Sequence, residues 1–107
     1  MAFYEVRQYE IRPGKMAEWL KMMDEEIIPY QVARGMVIPA IFHGETDDSV
    51  FIWLRRFESE EERERLYKTV YEDPIWVNEM SPRVGQLINR ETISVQRVLA
   101  TPMSMLR

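Results

Sequence analysis

Arg7 and Tyr9 stand two residues apart near the start of the chain, on one side of an alternating stretch. A guanidinium offers a fork for a carboxylate, and a phenol beside it adds a donor and an aromatic wall. Trp53 and Arg55 repeat the aromatic and cationic alternation in a later stretch of the same kind. If the two stretches are neighbours and their faces coincide, Arg7, Tyr9, Trp53 and Arg55 surround one cavity. The competing reading is an Arg7–Glu5 or Arg7–Glu91 ion pair bracing a sheet, with Tyr9 as packing.

His43 is the single histidine in 107 residues, and there is no cysteine. One chain therefore has no two-histidine metal site, no disulfide and no thiolate ligand. His43 is the one candidate for a proton shuttle, weighed against an exposed or structural histidine at the end of a strand. The four glycines are isolated, and no CxxC, HExxH or calcium-loop spacing occurs, so neither nucleotide nor structural-metal binding is expected.

Several elements must position these side chains. Phe3–Ile11 alternates Phe3, Glu5, Arg7, Tyr9 and Ile11 against Tyr4, Val6, Gln8 and Glu10, which reads as a strand. After Pro13-Gly14, the spacing of Met16, Trp19, Leu20, Met23 and Ile27 predicts an amphipathic helix. Pro29 kinks that helix, which continues to Arg34 over roughly 20 residues, with Gly35 as a left-handed cap. Met36–Gly44 is a second strand, put at an edge or bulged by Pro39. The polar turn Glu45–Ser49 joins it to Val50–Phe57, the third.

Ser59 with Glu62 forms a capping box, and Glu61–Arg65 and Glu64–Lys68 have the spacing of helical ion pairs. Leu66, Tyr67 and Val70 supply a thin buried stripe. Asp73-Pro74 and Ser81-Pro82 each read as an N-cap followed by a first helical residue. Asp73 and Trp76 are thereby explained as cap and core. Glu91–Leu99 is the fourth strand, and the apolar tail Ala100–Arg107 is expected to dock on this chain or on a partner. The order β-α-β-β-α-β is the ferredoxin-like arrangement: a four-stranded antiparallel sheet, helices on one face, first and third strands central.

Helices cover one sheet face, yet the strands are apolar on both. A second sheet packed against the open face would cover it and make a homodimeric α+β barrel. Eight Met residues suit such an interface as well as a core. A formal charge of −4 and a pI near 5.1 argue against a nucleic-acid partner. No apolar run approaches the ~20 residues of a membrane span, and a cytoplasmic location is the default expectation.

Tyr4-Glu5-Val6-Arg7-Gln8-Tyr9 followed by Pro13-Gly14, Gly35 before the second strand, and Trp53 running into Ser59-Glu60-Glu61-Glu62-Arg63 resemble the NIPSNAP family. Asp73-Pro74 with Trp76, and a tail with Pro102 and Ser104, extend the likeness over essentially all of residues 1–107 as one domain. The resemblance implies the dimeric α+β-barrel superfamily, which also holds antibiotic-biosynthesis and haem-degrading monooxygenases. It implies no reaction. The expectation is a homodimer binding a small apolar or aromatic ligand between sheet and helices, its polar end at Arg7, Tyr9 or Arg55. The alternatives are a cofactor-independent monooxygenase with His43 as base, and a non-catalytic interaction module. No cofactor is expected; haem on His43 is the one option the superfamily raises.

Overall fold

The computed structural model describes all residues, Met1–Arg107. Four strands, β1 (Phe3–Ile11), β2 (Val37–His43), β3 (Val50–Phe57) and β4 (Ile88–Val98), form one antiparallel sheet in the order β2-β3-β1-β4. The chain therefore has the expected ferredoxin-like α+β fold, with β1 and β3 at the centre.

The first helical run consists of α1 (Met16–Met22), a π-helical turn (Met23–Ile27) and α2 (Ile28–Ala33). The wide turn lies one turn ahead of Pro29, where a proline removes a helical donor and crowds the preceding carbonyl. The run thus passes the proline without ending. Gly35 follows at φ 105°, close to Leu66 Cδ2 at 3.1 Å from where a Cβ would stand. α3 (Glu60–Tyr71) begins at Ser59, whose Oγ accepts from the Glu62 N–H at 3.1 Å. Glu62 reaches back to the Glu58 N–H instead of that of Ser59.

A second π-helical turn (Ile75–Met80) leads into α4 (Ser81–Leu87). Asp73 caps it through the Ile75 N–H at 3.0 Å and also accepts from Arg34 and Tyr30, stapling α2 to the end of α3. Ser81 is not a cap; its hydroxyl and carbonyl both accept from Arg90. The expected Glu61–Arg65 and Glu64–Lys68 pairs do not form. Glu60 instead pairs with Arg63 and Arg97, which lie toward the sheet.

Pro39 lies on edge strand β2, where the register shifts between Val37 and Ala40. β4 starts at Ile88, three residues earlier than expected, straight out of α4. A second irregularity falls between Gln8 and Glu10, where β1 meets the start of β4.

The core lies between sheet and helices and is strongly aromatic. Tyr9, Trp19, Phe51 and Trp53 pack with ring centroids 5.5–6.5 Å apart. The opposite face carries Val6, Ile52, Leu54 and Phe42, the last 55% exposed. The tail lies over one corner of that face. Tyr4 is buried there, and Arg56 Nε donates to the Arg107 carbonyl at 2.8 Å. Between tail and sheet remains a cavity of about 230 Å³ lined by Tyr4, Leu54, Val98 and Leu106 among others. No helix is long and apolar enough to cross a membrane.

Candidate functional site

Glu5 is the carboxylate around which the polar part of the core is arranged. It points to the helix side of β1, where Arg55 of β3 is its cross-strand partner, and both side chains are fully buried. Arg55 Nη2 donates to Glu5 Oε1 at 3.1 Å, Arg63 Nε to Oε2 at 2.8 Å, and the Tyr67 hydroxyl lies 2.7 Å from Oε1. Arg7 Nη1 is 3.6 Å from the same Oε1. Burial works to raise the Glu5 pKa. Hydrogen bonds from Arg63 and Tyr67, with the charges of Arg55 and Arg7, overcome this and hold it below the ordinary carboxylate range.

Arg7 is the opposite residue to Trp53 across the same two strands, so all four expected site residues share one face. That face meets the helices. Arg7 Nε donates to the Tyr9 hydroxyl at 3.0 Å and its Nη1 to the Tyr67 hydroxyl at 3.1 Å. Arg55 Nη1 donates to the Tyr71 hydroxyl at 2.6 Å and to Gln31 Oε1 at 3.1 Å. Its guanidinium carbon lies 5.1 Å from the Trp53 ring centroid and 5.0 Å from that of Tyr67, within cation–π range.

The Arg7–Glu5 ion pair weighed from the sequence is therefore present, within a larger network. Glu91 takes no part in it. Gln31, Arg63, Tyr67 and Tyr71 are participants that sequence reasoning did not single out as site residues. The available signal was Tyr67 and Tyr71, four apart on a helix whose buried residues are only Leu66 and Val70.

Two donors in this region stay without an acceptor. Arg55 Nε and Trp53 Nε1 are buried and make no hydrogen bond. Such groups are rare in folded proteins because each loses its hydration without replacement. The space around Arg7, Trp53 and Arg55 is filled by side chains, and the cavities of the molecule lie elsewhere. Tyr9 reaches one of about 320 Å³ beside the β1 irregularity, with Gln8, Glu10, Ser49 and Thr92.

His43 is separate from this network. It pairs with Phe51 at the far end of β2, is exposed, and its Nδ1 lies 3.1 Å from the Gly44 carbonyl. It borders a cavity of about 370 Å³ with Met16, Leu20, Glu45 and Asp48. Those acidic residues, with no cation in the lining, are the wrong charge for a haem's propionates. The lining does not fit that group.

The sequence model of the NIPSNAP family matches residues 4–104. No curated protein matches the chain. Among solved structures, a NIPSNAP family protein from Agrobacterium tumefaciens is 30% identical, with TM-score 0.87 and full coverage of both chains (100% and 100%). A second protein from that organism is 23% identical, with TM-score 0.88, covering 98% of this chain and 99% of the other. An uncharacterised NIPSNAP-like domain protein from Burkholderia xenovorans is 20% identical, with TM-score 0.85 over 96% of this chain and 88% of its own. These two show the shared fold. With the β2-β3-β1-β4 sheet and a family match over nearly its whole length, this chain belongs to the NIPSNAP family.

Proposed function

We propose that this NIPSNAP protein is a homodimer that binds a small apolar or aromatic molecule between sheet and helices. The ligand's polar end is held in the region of Arg7, Tyr9, Trp53 and Arg55. The observation that carries the reading is the charged cluster set inside an aromatic core. A purely structural core gains little from three guanidiniums and one carboxylate, which often add no more stability than apolar residues of similar volume. A few convergent polar groups in an apolar surround are the usual make-up of a ligand site. The surrounding side chains are closely packed, so binding requires α3 and the turn after it to shift. α3 is held to the sheet by Leu66, Val70, its tyrosines and the Arg63–Glu5 pair, and these are the contacts such a shift would loosen.

The dimer rests on the open face, where Phe42, Ile52, Leu54 and Val6 lie together without helices above them. An enzymatic version needs a base beside the ligand. Glu5 is committed to three cations and His43 lies elsewhere, so binding without chemistry is the version the geometry favours.

A thermal-shift panel of aromatic acids and phenols tests the binding. At least one compound is expected to raise the melting temperature of the wild type and to do so less for Trp53→Ala. A panel without any shift would replace this reading with that of an interaction module.

A further inference from the structure

Arg7 and Arg55 do unequal work. Arg55 is fully enclosed, and its two terminal nitrogens are taken by Glu5, Tyr67, Tyr71 and Gln31. Arg7 uses Nε on Tyr9 and Nη1 on Tyr67, while its Nη2 makes no hydrogen bond. The Arg7 side chain is also 13% exposed, so solvent reaches it.

Charge inside the cluster is out of balance. Arg63 has a second carboxylate, Glu60, at 3.4 Å. Arg7 and Arg55 are left to share Glu5, so one buried positive charge has no counter-ion of its own. The two orphan donors, Arg55 Nε and Trp53 Nε1, add to an excess of N–H groups over acceptors. A neutral apolar ligand would correct neither imbalance. An anionic oxygen at Arg7 supplies the missing counter-charge and one more acceptor.

The way in is marked by β4. Val95 pairs with Arg7 and lies on the same helix-side face, yet it is 41% exposed. The helical layer therefore leaves an apolar floor open directly beside the guanidinium of Arg7, which has a free terminal nitrogen. Ile93, two residues earlier on that face, packs partly against the core and extends the floor.

Resting on the binding site proposed above, we infer that its ligand is a small apolar carboxylic acid. Its carboxylate pairs with Arg7, and its apolar body lies over Val95 and Ile93 toward Trp53. Arg7 is the residue that reads the acid. Arg55 holds the floor beneath it and balances Glu5.

The test is calorimetric titration of the wild-type protein with benzoate, phenylacetate and octanoate, each beside its neutral amide. At least one acid is expected to bind about tenfold or more tightly than its amide, the usual scale for a hydrogen bond to a charged group. Arg7→Gln removes that advantage, while Lys21→Gln, which deletes an exposed cation on α1, keeps it. Equal affinity for acid and amide would overturn the acid assignment and leave the binding site standing. An acid preference that survives in a folded Arg7→Gln protein would overturn it too. Failure of every acid and every amide to bind would take the site down with it. If Arg7→Gln does not fold, the contrast of acid with amide in the wild type decides alone.

Discussion

Glu5 and Arg55 face each other across the two central strands, 3.1 Å apart, with neither side chain exposed to solvent. Taking away one member strands the other in a medium that solvates charge poorly. Arg55→Met is therefore expected to cost about 3–5 kcal/mol, the range for breaking a buried pair. Urea denaturation of both proteins measures it. A loss below 1 kcal/mol, roughly the scale of an exposed pair, would mean that water reaches Glu5.

Two groups of this network set the pH range of stability. The folded pKa of Glu5 is depressed below its ordinary 4.5, so its contribution is present above that pH and is lost as pH falls through the folded value. Tyr67 moves the other way. Burial first, with its bond to Glu5, pushes it up to about 12 against the opposing charges of Arg55 and Arg7. Its contribution is complete below its ordinary value of 10.0 and disappears as pH rises toward about 12. The difference in urea midpoint between wild type and Glu5→Gln should shrink below pH 4.5. A difference that stays constant through acid pH would show that folding does not lower the Glu5 pKa.

The strand order and the central place of β1 and β3 could be read from alternation, Pro39 and the short turn after His43. Gly35 and the Ser59 cap were equally plain, because each answers to a local backbone requirement. The face taken by Arg7 and Trp53 was not readable. Both sides of β1 and β3 carry aromatic and aliphatic residues, so alternation has no polar side to point outward. The start of β4 was hidden for a related reason: Ile88 continues the buried stripe of Val84 and Leu87 although its backbone is already extended. Glu60 shows the limit of pair rules along a helix. Spacing offered i,i+4 partners for its neighbours Glu61 and Glu64, but the charges that meet are Glu60 with Arg63 at i,i+3 and with Arg97 of β4.

Gly35 gives a test that touches no charge. At φ 105° a side chain is strained, and a Cβ there would stand 3.1 Å from Leu66 Cδ2. Gly35→Ala should lose about 1–3 kcal/mol, read as a lower denaturation midpoint. Gly14→Ala, with φ 74° but open space around it, isolates the backbone part of that loss.

Phe42 tests the second sheet. It is exposed on the open face, so Phe42→Asp should leave the fold of one chain nearly unchanged, within about 0.5 kcal/mol. Sedimentation equilibrium at micromolar concentration is expected to give a dimer for the wild type and 12.9 kDa for the variant. A wild type that sediments as 12.9 kDa would refute the dimer.

The segment from Leu99 to Arg107 gives that assembly an added condition. It lies on the corner of the open face at Tyr4 and is fastened there through Arg56 and the Arg107 carbonyl. A second sheet arriving on that face meets ground already occupied by the chain's own end. If two chains pair through that face, each carries its own competitor, and whatever free energy seats the tail is subtracted from association wherever the two cannot lie side by side. The strength of such pairing would then be set at the C-terminus as much as in the strands.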